Sequence, residues 1–161
     1  MNPEELAKEI AARCAVFAHW AGTWDAEMEI RPGPGVEPLR MKAVSVRRLI
    51  AGGRWLITEH KADSGFEGHG ILGWDASAKR YSAVWVDNMQ AAIAKGWGDW
   101  DGAKRSLVID MEVTHQGQTM GYRETTTTLE EDRQVYTSTV SLPEGKSFEM
   151  LKIIYTLRPS N

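Results

Sequence analysis

One stretch in the middle of the chain decides the fold, because it joins two extended segments through a short polar turn: Gly73-Trp74-Asp75-Ala76-Ser77-Ala78-Lys79-Arg80-Tyr81-Ser82-Ala83-Val84-Trp85-Val86-Asp87-Asn88. Residues 75–79 have the small and polar side chains of a hairpin turn, and aromatic and β-branched residues fill the second arm. Alternate side chains of a strand point to opposite faces. One face of this arm therefore carries Tyr81, Ala83, Trp85 and Asp87. Neither face is plainly polar, which predicts the wall of a barrel whose inner side meets a cavity.

The rest of the chain repeats this pattern, since the hydrophobic period stays near two from Ala21 to the C-terminus. Clusters of Gly, Pro and charged residues interrupt it at short intervals, as in an all-β meander. We predict strands at about 24–30, 39–49, 54–62, 67–74, 79–88, 91–97, 105–113, 119–129, 134–142 and 147–157. No crossover helix separates them, which excludes a parallel sheet. Closure of about ten antiparallel strands removes the unpaired edges and leaves a cavity, so we expect a single antiparallel up-and-down β-barrel.

A helix precedes the strands. Asn2 is placed to cap it, Pro3 suits its first position, and Glu5 completes a capping box. The apolar residues of the predicted helix, at 3–18, form one stripe made of Leu6, Ile10, Cys14 and Phe17. This helix is expected either to pack on the outside of the sheet or to plug one end of the barrel. The domain organisation predicted is an N-terminal helix at 1–20 and a barrel at 21–158, within a single domain.

Composition limits the classes of partner. The formal net charge of −3 argues against nucleic acid or an anionic membrane as an electrostatic partner. The basic residues Arg40, Lys42, Arg47 and Arg48 alternate with apolar ones, which a solvated strand face explains. Seven Trp residues indicate an aromatic core or an aromatic-lined pocket. The expected partner is a small hydrophobic or amphipathic molecule, and a homodimer is left open.

The single cysteine, Cys14, excludes an intramolecular disulfide and favours a reducing compartment. The first residues lack the basic region of a signal peptide, and no apolar segment approaches the ~20 residues that span a bilayer. We therefore expect a cytoplasmic protein.

Several short motifs follow one another in a familiar order: Ala21-Gly22-Thr23-Trp24, Gly52-Gly53-Arg54-Trp55-Leu56, Gly70-Ile71-Leu72-Gly73-Trp74-Asp75, Lys79-Arg80-Tyr81, Trp85-Val86-Asp87, Gly96, Gly98-Asp99 and Ile154-Tyr155-Thr156-Leu157-Arg158. The series resembles DUF1579, a family of small bacterial domains of unknown function that belongs with lipocalin-like and calycin barrels. The resemblance covers about 18–158 and leaves the helix outside. It implies the barrel, with Trp24 closing one end, and no settled activity.

The histidines His19, His60, His69 and His115 show no metal-ligand spacing, so neither a metal nor a cofactor is expected. His60 and His69 lie on strands that should be neighbours, where they face each other if both point inward. Haem-binding barrels of the nitrobindin type share the glycine-tryptophan strand start and remain an alternative. They need an axial histidine on a late strand, however, and none follows His115.

The residues expected to line the cavity are mostly aromatic, with a few that ionise: Trp55, Ile57, Tyr81, Trp85, Asp87, Tyr122 and Glu124. His60 and Arg123 are the polar alternatives, because a shift of one residue exchanges the faces of a strand. An inward Arg123 would pair with a ligand carboxylate, with Glu59 or with Asp87.

Three hypotheses follow from this reading. The first is a barrel that binds a small, largely apolar ligand without catalysis. The second is an enzyme that uses a buried carboxylate, with His60, for proton transfer on a small hydrophobic substrate. It requires Asp87, Glu59 and His60 to converge in one cavity. The third is a core-filled barrel that acts by association and has no cavity.

Overall fold

The computed structural model describes residues 2–160, in which two short helices precede ten strands. The helices are α1, Pro3–Cys14, and α2, Val16–Trp20. The strands, β1 to β10 in chain order, are Gly22–Ile30, Leu39–Ile50, Trp55–Ala62, Glu67–Asp75, Arg80–Asp87, Ala94–Asp101, Ser106–His115, Gln118–Glu130, Arg133–Ser141 and Ser147–Leu157. Short 3-10 turns at Ala51–Gly53 and Pro143–Gly145 precede β3 and β10.

The strands form a closed antiparallel barrel in which each strand pairs with its neighbours in the sequence. The barrel closes between β1 and β10, where Trp24 lies opposite Leu157 and Ile30 lies opposite Leu151. Closure gives every strand two hydrogen-bonded neighbours, so no sheet edge is left. The predicted up-and-down barrel of ten strands with an N-terminal helix is confirmed.

The hairpin between β4 and β5 forms as predicted. Trp74 lies opposite Tyr81, and Asp75 lies opposite Arg80. The Asp75 carboxylate accepts hydrogen bonds from the backbone amides of Ser77 and Ala78, at 2.9 and 3.0 Å. An aspartate that bonds to amides two and three residues ahead fixes the turn locally, so the two strands meet in one register.

Two glycines permit close approaches inside the sheet. A Cβ atom at Gly98 on β6 would overlap the carbonyl oxygen of Val108 on β7. At Gly68 on β4, the indole ring of Trp85 fills the space that a Cβ would take. These positions explain why glycines recur within the strands: backbone and ring packing leave no room for a side chain.

The helices plug one end of the barrel, which decides between the two placements that the sequence allowed. The predicted capping box is present, since Asn2 Oδ1 accepts from the Glu5 amide at 2.9 Å and the Glu5 carboxylate accepts from the Asn2 amide at 3.2 Å. The single helix predicted at 3–18 is interrupted at Ala15 and ends at Trp20. Phe17 is fully buried, with its ring 5.9 Å from that of Tyr81. We call the end of the barrel that α1 and α2 cover the helix end.

Candidate functional site

The barrel encloses a cavity of about 660 Å³. At the helix end it reaches Trp20, and at the opposite end it is bordered by the β3–β4 and β5–β6 connections, including Phe66 and Met89. Met89 is 76% exposed, so this second end communicates with solvent. We call it the mouth. The core-filled barrel of the third hypothesis is therefore wrong.

Most of the cavity wall is apolar. Aliphatic and aromatic side chains from the inner face of the sheet form it, among them Leu56, Leu72, Trp85, Leu107, Ile109, Met111, Val113 and Ile153. All six methionines of residues 2–160 also border it: Met28, Met41, Met89, Met111, Met120 and Met150. The wall offers dispersion contacts over most of its area and few directed hydrogen bonds, which is the usual make-up of a small-molecule pocket.

A buried arginine lies at the helix end of the cavity. Arg47, near the end of β2, is 6% exposed. Its Nη1 donates to Gln134 Oε1 at 2.6 Å and its Nε donates to Ser45 Oγ at 3.3 Å. The guanidinium lies over the rings of Trp24 and Tyr155, at 5.0 and 4.4 Å from their centroids. Burial lowers the pKa of Arg47, and the neighbouring Tyr155 hydroxyl opposes that shift.

A carboxyl group faces the cavity from β8. Glu124 accepts a 2.7 Å hydrogen bond from the hydroxyl of Tyr136 on β9. Burial raises the pKa of Glu124 to about 7, and the Tyr136 hydroxyl limits the rise. Tyr122 lines the same wall two residues earlier, and burial raises the pKa of its hydroxyl well above the usual value. Glu124 is therefore divided between its neutral and charged forms near neutral pH, which suits it to exchange a proton.

His60 lines the cavity, and its neighbours are aromatic side chains, not potential metal ligands. Its Nε2 is 3.3 Å from the Met28 sulfur, and the rings of Phe66, Trp85 and Tyr155 surround it at 6.0 to 6.5 Å. Burial, followed by the positive charge of Arg47, lowers the pKa of His60 to about 4. The imidazole is thus neutral at physiological pH.

Asp87 borders the cavity near the mouth. It accepts a 3.0 Å hydrogen bond from Trp85 Nε1 and bonds from the backbone amides of Met89 and Gln90, both at 2.9 Å. These bonds hold the Trp85 indole in place and order the start of the β5–β6 connection. Asp87 therefore has a positioning role within the wall.

Other residues expected in the cavity lie elsewhere. Trp55, Ile57 and Glu59 are on the outer face of β3, because Leu56, Thr58 and His60 alternate with them and line the cavity. Glu59 pairs there with Lys61, which lowers the pKa of Glu59. His69 is also exposed and pairs with Glu67, so it does not face His60.

Arg123 and Tyr81 also differ from the expected lining. Arg123 lies outside on β8 and forms a bidentate pair with Asp110 at 2.7 and 3.0 Å. Tyr81 points inward as its alternation predicts, but it is buried beneath α1 and its hydroxyl bonds to the backbone of Arg13. The helix therefore takes the end of the barrel that Tyr81 would otherwise share with a ligand.

Sequence reasoning missed several residues of the site. The sequence pattern predicts a solvated face for Arg47, and it does not single out Tyr136, Ser138 or Tyr155 as site residues. A signal for Arg47 does exist: it continues the period-two series of Met41, Ala43 and Ser45 on β2, and this whole series faces inward. The opposite face of β2 also carries apolar residues, so the series alone did not decide the direction.

Within residues 2–160, no group of three or more His, Cys, Asp or Glu side chains is arranged to hold a metal ion. Nor is either helix of this range long and apolar enough to cross a membrane.

Comparison with known proteins identifies the family. No curated protein sequence matches the chain significantly. A sequence-family model described as protein of unknown function, DUF1579, matches residues 11–157. The chain belongs to the DUF1579 family. This DUF1579 match begins inside α1, so the later part of the helical segment is within the family region and not outside it as the resemblance implied.

Two solved structures share the fold of this DUF1579 protein. The crystal structure of Rv2717c from M. tuberculosis has a TM-score of 0.65 at 10% identity, over 91% of this chain and 98% of that one. The S-type phycobiliprotein lyase CPES from Guillardia theta has a TM-score of 0.57 at 10% identity, over 91% of this chain and 93% of that one. At this identity the two structures support the barrel and nothing finer.

Proposed function

We propose that this DUF1579 protein binds a small, largely apolar ligand inside its barrel and performs no reaction on it. The observation that carries the proposal is the apolar cavity of about 660 Å³, which falls in the range of small-molecule pockets. A fold similar to that of a lyase of phycobiliproteins is compatible with a guest of this kind. We propose only the chemical class of the ligand: a mainly apolar molecule that fits among aliphatic, aromatic and thioether side chains.

The test is a titration that follows tryptophan fluorescence, because Trp20 and Trp85 border the cavity. Saturable quenching by amphipathic probes is expected in the wild type. Ala83→Phe adds a ring on the inner face of β5 and should abolish the quenching by filling space. Val86→Phe, on the exposed outer face of the same strand, is the matched control and should leave the quenching intact. Equal titration curves for both variants would overturn the proposal.

A second candidate, proton transfer on a bound hydrophobic substrate, is favoured by one observation. Burial raises the pKa of Glu124 to about 7 inside the cavity, where a general acid or base works best. The groups first expected to supply the base do not support it, since Glu59 is outside and ion-paired. The candidate predicts deuterium incorporation from heavy water into a bound ketone, and loss of that exchange in Glu124→Gln.

Haem binding of the nitrobindin type has less support. His60 is on the early strand β3, and its Nε2 is in contact with Met28. Titration with haemin that gives no shifted Soret band would remove this alternative.

A further inference from the structure

The charge of Arg47 is not neutralised by the protein. The side chains that accept hydrogen bonds from its guanidinium are neutral: Gln134 is an amide and Ser45 a hydroxyl, and the Tyr155 hydroxyl nearby is neutral as well. No carboxylate of residues 2–160 forms an ion pair with it, although Asp and Glu pair with basic residues at many surface positions. Arg47 is thus a buried cation without a counter-charge in the described part of the chain.

Burying the charge of Arg47 destabilises the folded protein unless an opposite charge binds to it. A buried charge without an opposite charge loses its hydration and gains only partial compensation from dipoles and ring faces. The two rings that hold the guanidinium, Trp24 and Tyr155, provide cation–π contacts and keep it in a fixed position. Arg47 also borders the cavity, so a molecule inside the barrel reaches it.

Glu124, the carboxyl that faces the cavity from β8, does not neutralise Arg47. Its hydrogen-bond partner is the Tyr136 hydroxyl, and burial raises its pKa to about 7. A carboxylate paired with Arg47 would have a lowered pKa instead. His60 is affected by the same positive charge, which contributes to its lowered pKa. The helix end of the cavity is therefore electropositive.

A polar atom beside Arg47 also lacks a partner. Gln134 accepts from Arg47 through Oε1, but its buried Nε2 has no hydrogen-bond partner among the described residues. Buried donors are nearly always satisfied in folded proteins, so an unsatisfied amide beside an unneutralised cation adds to the case for an anionic guest. Ser138 Oγ is buried and unpartnered as well, but it borders the cavity farther along β9, opposite Glu124.

We propose that the ligand of this cavity carries one anionic head, a carboxylate or a similar monoanion, which binds Arg47 at the helix end while its apolar body extends toward the mouth. This inference rests on the proposed function and specifies its ligand class. The planar guanidinium offers parallel N–H donors that match the two oxygens of a carboxylate. The apolar wall between Arg47 and the mouth accepts the rest of the molecule.

The experiment compares dodecanoic acid with dodecan-1-ol, which share a chain and differ in the charge of the head. Binding is followed by tryptophan fluorescence in the wild type, in Arg47→Gln and in Arg48→Gln. Arg48 neighbours Arg47 on the exposed face of β2 and is the matched control. In the wild type the acid should bind about tenfold to a hundredfold more tightly than the alcohol, as for hydrogen bonds to charged groups. Arg47→Gln should lose this preference, and Arg48→Gln should keep it.

The outcomes separate the two proposals. If neither probe binds to the wild type, the proposed function itself fails. If the alcohol binds as tightly as the acid to the wild type, the cavity is a binding site but the anionic head is wrong. The wild-type comparison decides the matter even if Arg47→Gln does not fold.

A second readout reports on the head group directly. NMR of dodecanoic acid labelled at its carboxyl carbon follows ionisation in the bound state. Contact with Arg47 should keep the bound carboxylate ionised to a lower pH than in a cavity that lacks the arginine, as in Arg47→Gln. Identical titration of the bound acid in the two proteins would overturn the inference.

Discussion

The hydroxyl of Tyr81 donates a 2.8 Å hydrogen bond to the carbonyl oxygen of Arg13 and thereby joins β5 to the last turn of α1. Nearby, Lys79 and Glu9 form an ion pair at 2.5 Å between the β4–β5 turn and the same helix. The hairpin that organises the sheet therefore also holds the helix against the end of the barrel.

Tyr81→Phe removes this hydrogen bond and keeps the ring packed on Phe17. We expect a loss of about 1 kcal/mol in the free energy of unfolding, because the partly buried Arg13 carbonyl oxygen loses its donor. The effect should concentrate in α1. Hydrogen exchange measured by mass spectrometry should become faster in α1 and stay unchanged in β7 and β8. Unchanged exchange in α1 would show that the helix is held by apolar contacts alone.

Glu124 predicts a dependence of stability on pH. Its pKa is about 7 in the folded protein and 4.5 when unperturbed. Between these values the folded state holds the proton more firmly, so the stability that Glu124 contributes is complete below pH 4.5 and is lost as the pH rises through about 7. Since each pKa unit corresponds to about 1.4 kcal/mol, the full loss approaches about 3 kcal/mol.

Glu124→Gln keeps an acceptor for Tyr136 and cannot ionise, so its unfolding free energy should not show this loss. Urea denaturation of the two proteins between pH 4 and 8 measures the difference. Glu112→Gln, at an exposed position on β7, should behave like the wild type. If the wild type and Glu124→Gln follow parallel curves, the carboxyl is not protonated near neutral pH.

His60 predicts the opposite dependence of stability on pH. Its pKa falls from 6.5 to about 4 in the folded protein because the imidazole is buried. The unfolded chain therefore binds the proton more readily, and the stability present above pH 6.5 is lost as the pH falls toward 4, by up to about 3 kcal/mol. In His60→Leu this acid-induced loss should disappear. The exposed His19→Gln is the control, and acid denaturation followed by circular dichroism is the measurement.

Gly98 tests the close approach of β6 and β7. A methyl group there would meet the carbonyl oxygen of Val108, which the sheet ladder holds in place, so Gly98→Ala should cost about 3 kcal/mol. The control is Gly121→Ala on β8, where the nearest atom is the Met111 carbonyl oxygen at 3.8 Å. That change should stay within about 0.5 kcal/mol. Similar urea midpoints for both variants would contradict the packing seen at Gly98.

The fold could be read from the sequence because two local signals agree along the whole chain. Alternation of apolar residues gives the strands, and residues such as Asp75 give the turns between them. Short turns between consecutive strands leave antiparallel pairing as the natural outcome, and the absence of a free edge then requires closure.

The inner face of each strand was harder to read. On β5 the aromatic series ending in Trp85 faces inward, as its alternation indicated. On β3 Trp55 appeared to mark the inner face, yet its ring lies outside, over Gly73 of the neighbouring strand. A large aromatic residue is as stable over a glycine on the outer face as inside the barrel, so residue size does not decide the direction.

The inward orientation of Arg47 could not be predicted from the sequence for a related reason. An arginine beside Arg48 suggests a solvated surface, because buried arginines are rare without an ionic partner. What holds Arg47 inside comes from distant parts of the chain: Trp24, Gln134 and Tyr155. Those contacts exist only after β1, β9 and β10 have come together at the closure of the barrel, and no local pattern encodes them.

The six methionines that border the cavity have a consequence for selectivity. Unbranched thioether side chains change rotamer at little cost and adapt to many outlines. A wall that includes six of them is expected to discriminate poorly between a straight chain, a bent chain and a fused ring of similar bulk. Under the proposed binding mode, the fixed contact with Arg47 would select a ligand by the charge of its head group, and the shape of its apolar body would matter less.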